Sequence, residues 1–325
     1  MPFRAIFLPG SVLPAELAYG GLIAALGTDA DIAAKELEVY ADAVPPSDYS
    51  LDSETAGVLR EADGRGWDQF HLAGYSGGGA AALACAARHP DRLLSLALLE
   101  PAWAGSWGWS SAERALWTES ERLQRLPPDQ FMPAFVRLSL KPGVSPPPPP
   151  AGDPPPWMAK RPAGIRAFME TFSSYDLDRE ALRQFRRPVY YALGGLSNPD
   201  QYGEIAKRLD TVFSDFDLEV FEDRHHFDPP HRMEPERLAD SLKAKIKSGV
   251  VVLASAHDGR VQVVVAVTSD LTARIKAGQV AREIAPIVGG SGGGRPDFAE
   301  AGGRQTEKID EMLSAAEQVV ARLLS

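Results

Sequence analysis

The chain has 325 residues, 44% of them hydrophobic and 24% charged, which suits one large globular domain with a smaller one beside it. A formal charge of −10 excludes a generally basic protein that coats nucleic acid, and the single cysteine, Cys85, excludes an intrachain disulfide or a cysteine-cluster zinc site. The opening MPFRAIFLPG does not read as a signal peptide, and no apolar run reaches the ~18 residues of a membrane helix, so a cytoplasmic location with no membrane partner is expected.

In chain order, Arg4–Leu8 reads as a short buried strand stopped by Pro9-Gly10, and residues 14–26 carry apolar side chains at helical spacing. Leu37–Tyr40 reads as a second strand, and residues 53–65 as a helix with Ser53 as N-cap. Phe70–Ala73 is a third strand, breaking at Gly74 into a glycine- and alanine-rich helix of about 77–88, in which Cys85 reads as a packed core thiol. Leu94–Leu99 is a fourth strand. Strands alternating with helices predict an α/β fold, a doubly wound and mostly parallel sheet covered on both faces.

The pattern changes at about residue 102. Residues 102–180 read as mostly helical, hold five of the six tryptophans and include the proline runs Pro146–Pro150 and Pro154–Pro156, which suit polyproline II and no helix or central strand. This stretch is expected to be a cap inserted between sheet strands, which resume at Val189–Leu193 and Leu218–Phe221. A helix begins near Glu234 and leads, without a long linker, into a second, small α+β domain. The expected division is 1–240 and 241–325. In the second part, Val250–Ser255 and Val261–Thr268 are β-rich runs around the turn signal Asp258-Gly259. A glycine-rich loop (GGSGGGRPDFAEAGG) and an amphipathic helix of about 307–324 follow. The acidity lies in the first part; from about Leu238 onward, basic residues slightly outnumber carboxylates.

The first chemical signal is Gly74-Tyr75-Ser76-Gly77-Gly78, a G-x-S-x-G pattern. Alone it is common, but here it stands between a predicted strand and a predicted helix, as a nucleophile elbow must. The tight turn lifts the Ser76 hydroxyl above the sheet, glycine neighbours remove Cβ clashes, and the helix start at Gly77 offers an N–H to a developing oxyanion. The arrangement resembles the α/β-hydrolase fold family over about residues 3–245. That resemblance implies a serine esterase without a cofactor, working through an acyl-enzyme. Leu8-Pro9-Gly10-Ser11 follows the first strand where the family often has His-Gly, and implies the N–H of Ser11 as second oxyanion donor, with Val12 its neighbour.

The family's base follows the last strand, where Arg224-His225-His226-Phe227-Asp228 stands; His226 matches best and His225 is the runner-up. His231 is too close to the following helix to be favoured, His71 lies within the elbow strand, and His89 reads as a surface helix end. The acid has two candidates. The loop after Val189–Leu193 reads Gly194-Gly195-Leu196-Ser197-Asn198-Pro199-Asp200, with Asn198 where Asp is expected and Asp200 two residues on. Glu100, ending the preceding strand, is the other. The tryptophans either line a site for an apolar acyl substrate or pack the cap on the sheet.

From about Leu238 the sequence resembles the C-terminal domain of alanyl-tRNA synthetases, also attached to DHH-type phosphoesterases. It does so through SGVVVLAS at 248–255, VAVTSDLTARIKAG at 265–278 and APIVGGSGGGRPDFAEAGG at 285–303. The resemblance implies contacts to tRNA and a capacity to form a homodimer. The backbone N–H groups of Gly290, Gly292, Gly293 and Gly294, with the planar fork of Arg295, are the expected phosphate contacts. The pairing reads as a fusion: a serine hydrolase with a binding or assembly module, or a catalytically weak scaffold that binds tRNA. A third reading joins them, with an aminoacyl-tRNA ester delivered to Ser76.

Overall fold

Six apolar runs in the first part of the chain line up as one parallel sheet, in a computed structural model that describes residues 3–27, 30–146, 155–244, 249–257, 259–268 and 271–324. The chain divides into two units, Met1–Leu238 and Ala239–Ser325. In the first, the elements are β1 (Phe3–Leu8), α1 (Ala15–Leu26), β2 (Ala30–Ala34), α2 (Leu51–Gly64), β3 (Phe70–Tyr75), α3 (Gly77–Arg88) and β4 (Leu93–Leu99). Four helices follow, α4 (Ser111–Leu123), α5 (Pro128–Leu138), α6 (Arg161–Ser174) and α7 (Arg179–Gln184). Then come β5 (Val189–Gly194), α8 (Glu204–Asp210), β6 (Phe216–Phe221) and α9 (Pro230–Met233), and the division falls within α10 (Pro235–Ala244).

The strand order is β2-β1-β3-β4-β5-β6. The chain moves outward from β1 to β2, then returns past β1 to β3 and continues the other way. Right-handed crossovers in opposite directions put their helices on opposite faces, so the sheet is doubly wound and its switch point lies between β1 and β3. The registers Leu8↔Gly74, Tyr75↔Leu99 and Gly194↔Phe221 bring the carboxyl ends of the central strands to one edge. Both sides of these strands are buried, which is why they read as near-continuous apolar runs. Cys85 is buried in α3, where burial pushes its thiol up to about 12.

Two local expectations are corrected. Leu37–Tyr40 is not a strand: Glu38–Tyr40 is a 3-10 turn, and Ala30–Ala34 is the strand that pairs with β1. The buried carboxylate of Glu54 accepts from the amides of Glu38 and Val39 at 2.8 and 3.0 Å, so side-chain bonds replace sheet pairing there. The helix expected from Ser53 begins at Leu51, with Ser50 as N-cap accepting from the amide of Asp52 at 3.2 Å, because Leu51 is drawn wholly into the core.

Between β4 and β5, helices α4 to α7 replace the strand–helix alternation. Trp103 is buried and stacks on Phe172 at 5.3 Å, and Trp109 meets Trp117 at 5.4 Å. Most of the proline-rich stretch, residues 147–154, lies outside the described residues. No helix among the described residues is long and apolar enough to cross a membrane.

The second unit has a four-stranded antiparallel sheet in the order β7-β8-β10-β9. Its elements are β7 (Val250–His257), β8 (Arg260–Val267), α11 (Ala277–Ile284), β9 (Ser291–Gly294), β10 (Phe298–Gly303) and α12 (Ile309–Leu324). Along β8, Val261, Val263, Val265 and Val267 are buried, the period of two expected for a sheet with one covered face. They share a core with Val280 and Ile284 of α11 and Met312 and Ala316 of α12. Gly259, at φ +70°, turns β7 into β8; Asp258 lies outside the described residues.

The expected glycine-rich loop is a strand pair. Ser291–Gly294 pairs with Phe298–Gly303, so part of its backbone bonding capacity is engaged in the ladder. Glycine is needed for close approach: a Cβ on Gly290 would lie 1.5 Å from the carbonyl oxygen of Gly302, and one on Gly278 of α11 would lie 2.5 Å from that of Gly294.

Candidate active site

At the sheet's carboxyl edge, Ser76 ends β3 and begins α3 with φ 53° and ψ −117°. A non-glycine residue is rarely found there, and the surroundings must hold it. They do so by small size and hydrogen bonds. A Cβ on Gly74 would lie 2.3 Å from the carbonyl oxygen of Gly78, and one on Gly78 would lie 2.4 Å from that of Pro9. The Ser76 amide donates to Leu99 O at 3.1 Å, while Ala102 and Gly79 donate to Ser76 O at 2.9 and 3.0 Å.

His226 follows β6 and is buried at 2% exposure. Its Nε2 lies 3.0 Å from Ser76 Oγ and its Nδ1 lies 3.0 Å from Glu100 Oε2. A buried carboxylate only accepts, so Nδ1–H donates to Glu100 and Nε2 is free to accept from the Ser76 hydroxyl. The other oxygen of Glu100 accepts from the Gly194 amide at 2.8 Å. Glu100 has φ 47°, so the turn after β4 mirrors the strained turn after β3.

Of the two acid candidates, the structure brings Glu100 to His226. Asp200 is exposed, and its amide donates to Asn198 Oδ1 at 3.1 Å. Asn198, in turn, donates to Leu138 O at 2.7 Å, tying the loop after β5 to α5. Of the histidines, His226 and not His225 meets Ser76; His225 Nδ1 accepts from the Phe227 amide at 3.2 Å. His71 stacks on Phe3 at 4.5 Å, and burial lowers it to about 4. Ser11 is buried, and a Cβ on Gly77 would lie 2.5 Å from its hydroxyl oxygen, so the two residues are adjacent.

Three aromatic contacts had no signal in a motif. Tyr202 stacks flat on the His226 ring at 4.4 Å and 15°. The Tyr75 ring lies 4.9 Å from it, and the Tyr75 hydroxyl donates to His226 O. Behind Tyr75, at 4.7 Å, sits His231, wholly buried and lowered to about 3 by desolvation, with the charge of Arg232 adding to it. Tyr75 is the variable residue of the serine pattern, and Tyr202 and His231 lie in segments with no periodicity that singles them out.

This fold recurs in solved hydrolases. A hydrolase from Pseudomonas aeruginosa aligns over 75% of this chain and 89% of its own, with 16% identity and a TM-score of 0.54. A thermophilic esterase from Thermogutta terrifontis aligns over 74% and 88%, with 16% identity and a TM-score of 0.53. A carboxylesterase from Bacillus subtilis aligns over 75% and 83%, with 15% identity and a TM-score of 0.52. The first unit has the α/β-hydrolase fold. Residues 231–322 match the DHHA1 domain. Over this part the chain is 54% identical across 90 residues to an alanine–tRNA ligase of Solibacter usitatus, covering 28% of this chain and 10% of that protein. It is 51% identical across 85 residues to that of Desulfosudis oleivorans, covering 26% and 10%. The chain thus spans about a tenth of the length of the curated relatives it matches.

Proposed function

We propose that the first unit is a serine esterase. His226 takes the Ser76 proton as Oγ attacks an ester carbonyl, and Glu100 holds the imidazole and stabilises the imidazolium that forms. The amides of Gly77 and Ser11 receive the oxyanion. The imidazolium then protonates the leaving alcohol, and water, deprotonated by the same imidazole, releases the acid and restores Ser76. What carries this reading is the buried chain from Ser76 Oγ through His226 to Glu100 Oε2, with both links at 3.0 Å. Labelling by a fluorophosphonate probe and turnover of p-nitrophenyl butyrate test it. Both are expected in the wild type and absent in Ser76→Ala; a wild type inert in both assays overturns the reading.

For the second unit we propose tRNA binding through the edge strand at Gly292, Gly293 and Gly294 and the adjoining Arg295; the Gly290 amide, expected among these donors, is instead taken by Ala285 O at 3.1 Å. The high identity to a tenth of an alanine–tRNA ligase supports this, as does the glycine-lined edge, which leaves backbone open to a phosphate without side chains intervening. Fluorescence anisotropy with labelled tRNA should give binding that weakens as salt rises. No change in anisotropy at micromolar protein refutes it.

A further inference from the structure

Arg161, the first residue of α6, is wholly buried, yet only one of its three side-chain nitrogens has an acceptor. Nη2 donates to Glu36 Oε2 at 3.0 Å, while Nε and Nη1 are buried with no partner. It is the one arginine among the described residues with two such nitrogens. Its guanidinium lies 4.0 Å from the centre of the Tyr40 ring, and the Tyr40 hydroxyl donates to Ser11 O at 2.7 Å. Along the same face of α6, a Cβ on Gly164 would overlap the Tyr40 ring, and Phe168 stands 3.3 Å from where a Cβ of Gly77 would be. A single aromatic ring therefore separates this cation from the loop whose amide is the proposed oxyanion donor.

Buried N–H groups of a cation are costly to leave without acceptors, so the arrangement is complete only when an acceptor arrives. The positive charge selects an anion. Glu36 already supplies one negative charge beside the cation, so a single added charge suits the site better than a doubly charged phosphate. Building on the esterase reading, we propose that Arg161 binds a carboxylate on the acyl part of the substrate, and that the preferred substrates are half-esters of short dicarboxylic acids.

Monomethyl glutarate and methyl valerate, followed by pH-stat titration, compare substrates differing mainly in that carboxylate. The wild type should favour the half-ester at least tenfold in kcat/KM, and Arg161→Gln and Arg161→Lys should reduce that ratio at least tenfold. Free glutarate should inhibit p-nitrophenyl butyrate hydrolysis competitively, with inorganic phosphate far weaker. Glu36→Gln keeps the site intact if Arg161→Gln does not fold, and should tighten glutarate inhibition severalfold. An equal preference for the two esters in the wild type, or an unchanged ratio in a folded Arg161 variant, overturns the inference. If neither ester is turned over and the fluorophosphonate probe does not label, the esterase reading itself has failed. Glutarate-induced thermal stabilisation, present in the wild type and lost in Arg161→Lys, then still decides whether the carboxylate site exists.

Discussion

Ser76 and Glu100 are the two non-glycine residues among those described with a left-handed backbone, and they stand at the ends of neighbouring strands. Their side chains meet the two nitrogens of one imidazole, that of His226. Strain of this kind persists only where the surroundings over-determine it, and it commonly marks a site where geometry serves chemistry.

The proposed nucleophile is tested by two substitutions. Ser76→Ala should lower ester turnover by about ten-thousandfold or more. Ser76→Gly should be as inactive, yet more stable than the alanine variant by about 1 kcal/mol, because glycine accepts φ 53° without strain. Thermal unfolding of the pair measures the difference.

The acid is tested by contrast. Glu100→Gln should lower kcat by about a thousand- to ten-thousandfold, since an amide cannot stabilise imidazolium as a carboxylate does. Asp200→Asn, in an exposed turn, should stay within about twofold of the wild type. The opposite ranking in steady-state kinetics would reassign the acid.

Stability should fall in mild acid. His71 and His231 are lowered from 6.5 to about 4 and about 3 by burial, so the folded state resists protons that the unfolded chain accepts. Above about pH 6.5 both states hold these rings neutral and nothing is lost; below it, stability drops until the folded pKa values are reached. At pH 5 each ring should cost about 2 kcal/mol. Denaturant melts of His231→Phe between pH 7 and pH 5 should be visibly flatter than those of the wild type.

In the second unit, glycines with different surroundings separate folding from binding. Gly290→Ala should destabilise this unit by 2 kcal/mol or more, roughly, because its Cβ would meet Gly302 O at 1.5 Å. Nothing lies within 4 Å of a Cβ on Gly293, so Gly293→Ala should keep its melting temperature. Loss of tRNA affinity in Gly293→Ala would then mark an external partner at that edge.

Much of this was legible because it is local. The strand–turn–helix around Ser76 is encoded by three consecutive elements and its glycines, and β8, to within a residue at each end, by a β-rich run. The misread Leu37–Tyr40 was not, because its amides are taken by Glu54, on a different element, and no propensity in the four residues reports that. The glycine run at 289–303 read as a loop because its partners are other backbones, which leave no side-chain pattern.

The sequence by itself determined the two-part organisation, the α/β character of the first part, and the serine and histidine candidates, since each rests on short-range pattern or ordered motif. Only the tertiary structure shows that Glu100, and not Asp200, meets His226. Asp200 lies 26 residues from His226 and Glu100 lies 126, yet the register of β4 and β5 and the turn after β6 bring the distant carboxylate to the imidazole. Sheet packing sets that contact, and chain separation carries no information about it.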